Sequence, residues 1–274
     1  MQGILKKAVE IYTATGFFGL LKRLKISIAT RYGYKEYIVR EYFIKLINTH
    51  VLNPKFDLQG WFSEYNCLML EKVVRTVAKQ DMRVLEVGTW KGLSTSVIAK
   101  VVAENNGTIY CVDTWGGNQG LGGIHGEPKY KDIFAIFRNN MKKLGVWHYI
   151  RPLYMDSFSA AEVLKDKYFD LIFIDGDHTY SVVKADILNF LPKLKAGGII
   201  CGDDCEWYFE QLDSDFVYQH KDKDIGIHES GKSGHCGVIL ALHEIFGKDF
   251  TLENNSNKPN DPSYPANFWW KKIG

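Results

Sequence analysis

The spacing of apolar positions changes near residue 60. Before it, Ile4, Leu5, Ala8, Ile11 and Tyr12 recur at helical intervals, and a second apolar and basic piece runs from Phe17 to Ile28, so residues 1–58 predict a helical extension. Pro54 and Gly60 punctuate the break within HVLNPKFDLQGW, and a helix is expected from Ser63 to Gln80. Residues 59–274 then alternate. MRVLEVG, GTIYCVDTW, HYIRPLYMDS, FDLIFIDGD and GIICGDD read as strands, while LSTSVIAKVVAEN, KYKDIFAIFRNNMKKLG, SAAEVLKDK and YSVVKADILNFLPKLKAGG read as helices. GVILALHEIFG is expected to add a strand and a helix, and the aromatic FWWKK to pack on the rest. Strands buried on both faces are continuously apolar, so the alternation predicts an α/β domain with a mostly parallel central sheet and helices on both faces.

In such a sheet ligands bind beyond the carboxyl ends of the strands. Those ends carry the acids: Asp113, Asp156, Asp175 and the Asp203-Asp204 pair. The loops 116–130 and 220–236 are Gly-rich or charged and long for connectors, which suits lids over that edge as well as plain surface loops.

Composition narrows the partners. With 46% hydrophobic residues and a net charge of +2, the chain can build a core and carries no overall electrostatic commitment to nucleic acid. Its basic part is residues 1–50, with nine Lys/Arg against three Glu, expected to cover a sheet edge, form a homodimer contact or shape an acceptor entrance. No run of about 18 apolar residues suggests a membrane span. The charged flanks of the first apolar stretch do not suit a secretory signal, so a cytoplasmic location is expected. Five scattered cysteines form no disulfide framework, and Cys201 and Cys205 lack the second close pair a zinc site needs.

The first strand, turn and helix, VLEVGTWKGLSTS, bring Glu86, Gly88, Gly92 and Ser94 together, and backbone N–H groups in such a turn can approach an anion. The dinucleotide fingerprint fails, because Trp90 and Leu93 stand where its second and third glycines belong. Asp113 is placed to accept from both hydroxyls of a ribose, and Asp156 and Ser157 to meet an adenine edge. A ribose and an adenine without a pyrophosphate cradle point to S-adenosylmethionine.

Glu86, Gly88, Gly92 and Ser94, the acid at Asp113, IDGDHTY and LKAGGIICGDD together resemble the class I S-adenosylmethionine-dependent methyltransferases over about residues 60–245, with their Rossmann-like fold. The resemblance is nearest to the small-molecule O-methyltransferase branch of catechol and macrocin O-methyltransferase type. It implies that Glu86, Gly88, Trp90 and Ser94 line the methionine part of the cofactor, that Asp113 and Thr114 hold the ribose, and that Asp156 and Ser157 hold the adenine. Asp175 is counted with the cofactor residues and, with Asp203 and Asp204, as a ligand of Mg²⁺ or another divalent cation; Asp204 is the surer member of the pair. His178 stands three residues beyond Asp175, where catechol O-methyltransferase has its lysine base.

Methyl transfer from a sulfonium to a hydroxyl needs an acidified or deprotonated oxygen, which a hard cation and a nearby base supply. The expected function is therefore divalent-metal-assisted O-methylation of a small polyol, a sugar or glycoside by resemblance alone. Metal-independent or N-directed transfer, and a catalytically inactive binding or assembly protein on the same fold, stand as alternatives. Asp177 and Asp186 read as cap or solvent-facing residues, and His125, His228 and His235 as loop histidines without an assigned role.

Overall fold

The computed structural model describes residues 57, 58, 60, 62–116, 133–253 and 267–274. Two compact units divide the chain, Met1–Gln59 and Gly60–Gly274, and nearly all described residues belong to the second. The expected N-terminal helices, the loop after residue 116 and His125 lie outside the described residues.

The second unit opens with α1 (Glu64–Thr76), whose Ser63 cap accepts from the Asn66 N–H at 3.0 Å and whose Asn66, Leu70, Val73 and Val74 form one buried stripe. There follow β1 (Arg83–Val87), α2 (Leu93–Glu104), β2 (Thr108–Asp113), α3 (Ile133–Lys143), β3 (Ile150–Tyr154), α4 (Ser157–Val163), β4 (Phe169–Ile174), α5 (Tyr180–Phe190) and β5 (Leu194–Gly202). The chain then forms α6 (Ser214–His220), a short ribbon of β6 (Gly226–Ile227) and β7 (Ser233–Gly234), α7 (Cys236–Phe246), β8 (Thr251–Glu253) and β9 (Phe268–Lys272).

The main sheet runs in the order β3-β2-β1-β4-β5-β9-β8. Its first five strands are parallel, and β9 and β8 close the far side by antiparallel pairing. Side chains alternate faces along a strand. Ile172 and Ile174 of β4 join a core with Ala160, Val183, Ile187, Val238 and Leu242 of α4, α5 and α7. Phe173, between them, turns to the other face, where the Phe62 ring meets it edge-on at 5.7 Å. The predicted α/β architecture with a mostly parallel sheet is what forms.

Two expectations about elements need correction, and a third gains detail. The helix read through Gly198 stops at Phe190. Leu191–Lys193 make a single 3-10 turn around Pro192, and β5 begins at Leu194. Its pairing with β4 skips from Leu194 to Ile199, so Lys195–Gly198 form an irregular segment in which Gly197 takes φ +77°. GVILALHEIFG supplies no strand: through Phe246 it lies within α7, nearly all buried as far as Leu242, and Gly247 caps the helix end. FWWKK is itself a strand, with Phe268 and Trp269 buried and its register set against β5.

The parallel strands deliver Asp113, Asp175 and the Asp203-Asp204 pair to one edge. Between β5 and α7 the chain returns to that edge, where Asp224 meets His178 and His235 meets Asp204 and Glu206. The described cysteines are free thiols, four of them buried, and no described helix is long and apolar enough to cross a membrane.

Candidate active site at the carboxyl edge of the sheet

The turn after β1 is built by close approach. Gly88 has φ +84°, and a Cβ there would lie 1.9 Å from the Asp175 carbonyl oxygen, so β1 and β4 converge only through glycine. Trp90 also takes a left-handed φ of 44°. The N–H groups this turn presents already have an anion. Asp113 Oδ2 accepts from the Thr89 and Trp90 N–H groups at 2.9 and 2.7 Å, and Asp113 Oδ1 from the Trp115 N–H at 2.6 Å. The Trp115 indole N–H closes the loop on the Trp90 carbonyl at 3.0 Å. Asp113 thus fastens the end of β2 to the turn after β1, while Thr114 is exposed and accepts from the Gly116 N–H.

Glu86 is fully buried on β1. Its carboxyl accepts from Ser94 Oγ at 2.5 Å and Thr95 Oγ1 at 2.6 Å, both on the first turn of α2. Burial pushes its pKa up to about 8 despite those hydroxyls. Ser94 therefore engages Glu86.

Beyond β3, Asp156 caps α4, accepting from the Ser159 N–H at 2.8 Å. The Ser157 hydroxyl bonds Asp186. Asp186 is not solvent-facing: it is buried beneath Gly176, burial raises its pKa to about 6, and its Oδ1 has no hydrogen-bond partner among the described residues. Asp177 has the cap-like role expected, accepting from the Thr179 N–H at 2.7 Å just before α5.

The ends of β4 and β5 form the charged centre. His178 Nε2 lies 2.9 Å from Asp204 Oδ2, and its Nδ1 lies 2.7 Å from Asp224 Oδ1. His235 places Nδ1 2.5 Å from Glu206 Oε1 and 3.6 Å from Asp204 Oδ1. The two imidazoles meet edge-on at 4.7 Å. Burial alone would lower the His178 pKa, but Asp204, Asp224 and Asp175 outweigh it and hold the ring well above the ordinary histidine value. Burial and then Asp204 push Asp175 up to about 7. Asp204, though buried, is drawn below the usual aspartate value by His235 and His178.

Asp203 faces elsewhere. Both its oxygens accept from Asn66 Nδ2, at 2.8 and 3.0 Å, and burial together with Asp204 and Asp175 raises its pKa strongly. The pair therefore divides, Asp203 toward α1 and Asp204 toward the histidines. Asp175, His178 and Asp204 offer ligand atoms all within 4.8 Å of one another, a donor set that fits a divalent cation. For S-adenosylmethionine the fit lies at the start of α2, whose Gly92 cap provides no side-chain acceptor for the first N–H groups.

Residues 85–205, from the core of β1 to just past the end of β5, match the family model Methyltransf_24, a methyltransferase domain. Over those residues the chain is similar to a methyltransferase domain. The uncharacterised protein y4gI of Sinorhizobium fredii is 30% identical in an alignment of 159 residues that covers 52% of this chain and 17% of that relative, so the chain spans about one sixth of the curated protein it matches. Among solved structures, cofactor-bound Rv0187 from MTB is similar with a TM-score of 0.55 and 15% identity over 84% of this chain and 95% of that one. The O-methyltransferase TomG of Streptomyces achromogenes, solved with S-adenosylmethionine, gives 0.53 and 14% over 92% and 96%. An O-methyltransferase from Bacillus cereus with S-adenosylhomocysteine gives 0.51 and 16% over 92% and 97%. At these identities the structures attest the fold.

Within the matched residues, Glu86, Gly88, Trp90, Ser94 and Asp113 meet around one turn, and Asp175, His178 and Asp204 around one charged centre. Asp156 and Ser157 stand at the start of α4, apart from that centre. Sequence reasoning left Glu206, Asp224 and His235 without a role, along with Thr95 and Trp115. A signal existed for Glu206: it is a third acid, two residues beyond the Asp203-Asp204 pair at the end of a strand. The length and charge of residues 220–236 marked that segment as more than a connector, but not which of its groups turn inward.

Proposed function

We propose that the protein is an O-methyltransferase that moves the methyl group of S-adenosylmethionine to a hydroxyl of a small polyol, such as a sugar or glycoside, with a divalent cation assisting. The observation that carries this reading is the cluster of Asp175, His178 and Asp204 directly beyond the Gly88 turn. The preference for a sugar rests on resemblance to the macrocin type, and a cytoplasmic site of action belongs to the same reading.

In the reaction the carbon–sulfur bond breaks as the carbon–oxygen bond forms in line with it, S-adenosylhomocysteine leaves, and the hydroxyl proton passes to the protein. Asp175 and Asp204 would hold a cation such as Mg²⁺, which when bound acidifies the hydroxyl. His178 is the proposed proton acceptor through Nε2, with Asp224 fixing Nδ1 and hence the orientation of the ring. Holding the two reactants in line supplies much of the acceleration.

Calorimetric titration with S-adenosylmethionine, followed by detection of S-adenosylhomocysteine with a panel of sugars, glycosides and catechols plus Mg²⁺, tests the proposal. Binding and product formation with a hydroxyl acceptor, abolished in His178→Ala, are expected. Absence of cofactor binding at high micromolar concentration sinks it. Turnover only with amine acceptors replaces O-transfer by N-transfer.

A further inference from the structure

The division of Asp203 from Asp204 leaves Asp204 facing groups that the resemblance does not include. Its Oδ1 looks toward His235 Nδ1 at 3.6 Å, and Glu206 Oε1 lies 2.5 Å from the same nitrogen. One ligand atom each from Asp204, Glu206 and His235 lies within 4.8 Å of the others. They come from the turn just past β5, which holds Asp204 and Glu206, and from the junction of β7 with α7, which holds His235. Glu206 is held in place, because its Oε2 accepts the His235 backbone N–H at 2.9 Å and packs against Gly234, where a Cβ would come within 2.8 Å of that oxygen. The side chains of His235, Asp204 and Glu206 are 12%, 18% and 9% exposed, so the set is enclosed and yet reachable.

From this we infer that Asp204, Glu206 and His235 form a nitrogen-containing site for a borderline divalent ion of the Zn²⁺ or Co²⁺ kind, beside the oxygen donors of Asp175 and sharing Asp204 with them. Donors about 2.0–2.2 Å from one ion stand roughly 3–3.5 Å apart. The Asp204–His235 separation already suits that spacing. The Glu206–His235 pair has to open by about 1 Å, with the proton on Nδ1 released as the ion takes the nitrogen. Imidazole together with two carboxylates favours such ions over Mg²⁺, which prefers oxygen ligands and retained water. Asp175 belongs to the oxygen side and is not a ligand of this ion.

The test uses Co²⁺ on the full chain without cofactor or acceptor, so it stands apart from the methyl-transfer reading, whose failure would appear in the S-adenosylmethionine titration. Co²⁺ is expected to give visible ligand-field bands. Zn²⁺ should displace it, and a hundredfold excess of Mg²⁺ should not. His235→Gln and Glu206→Gln should each weaken Co²⁺ by about tenfold or more, and Asp175→Asn by less than about threefold. Circular dichroism checks each variant. If His235→Gln does not fold, Glu206→Gln carries the comparison. Displacement by Mg²⁺, unchanged affinity in the folded variants, or Asp175→Asn weakening Co²⁺ as much as they do would overturn the assignment.

Discussion

Replacing Glu86 by glutamine isolates the electrostatic consequence of burying an acid in the centre of β1. An unfolded chain ionises this group near 4.5, the folded chain near 8. Because the folded-state value is raised, the protonated group contributes stability at low pH, and that contribution is lost as pH rises through the folded value. The full interval is worth about 5 kcal/mol, of which about 3 kcal/mol falls between pH 6 and 9. A glutamine side chain has nearly the same shape, and its amide can exchange hydrogen bonds with the hydroxyls of Ser94 and Thr95 without carrying a charge. Urea unfolding of wild type and Glu86→Gln, without cofactor, should therefore show the variant gaining about 3 kcal/mol on wild type between pH 6 and pH 9. A difference that stays constant across this range would refute the reasoning, since it would mean that Glu86 is ionised throughout in the folded chain.

Gly88→Ala combines a left-handed backbone with a Cβ driven into the Asp175 carbonyl. About 1–2 kcal/mol of backbone strain and about 1–3 kcal/mol of overpacking should lower the thermal midpoint clearly, and an unchanged midpoint would contradict the geometry. Asp224→Asn removes one of the charges that raise the His178 pKa. If His178 is the base, kcat/KM rises with pH through a value above the ordinary 6.5, and this variant should move the rise to lower pH; an unmoved profile counts against the Asp224–His178 pairing. Gly237→Ala places a methyl 2.2 Å from the His178 carbonyl oxygen and 2.5 Å from that of Lys221. Its expected result is a lower kcat with S-adenosylmethionine affinity retained, measured by turnover and calorimetry.

The sheet was legible because parallel strands buried on both faces must be nearly all apolar. FDLIFI and RVLEV read as such strands, and the acids at the ends of β2, β4 and β5 then had to share an edge. The helix wrongly continued to Gly198 shows the limit of that reasoning. Helical spacing persists through LPKLKAGG, and only the partner strand decides that Leu194 pairs with Phe169. Side-chain direction was less legible still. The backbone turns at Asp204, which takes a left-handed φ of 64°, and there one of Asp203 and Asp204 leaves the centre. Which one left depended on Asn66, a residue more than a hundred positions away. His235 was hidden for the same reason, since its role exists only because β6 and β7 turn the loop back over β5.

The late position of β9 carries a consequence for how the protein is made. β5 delivers Asp203 and Asp204, and its outer edge is covered only by residues 268–272 among those described. The Ile273 carbonyl and N–H secure Gly197 and Gly198, while the Asn267 carbonyl accepts from the Cys205 N–H, one residue past the acids. During synthesis every charged group of the centre leaves the ribosome before the strand that braces it. Until β9 inserts, β5 is an open edge, and a nascent chain stalled before residue 267 holds all the chemistry of the site on a strand paired on one side only, with β4.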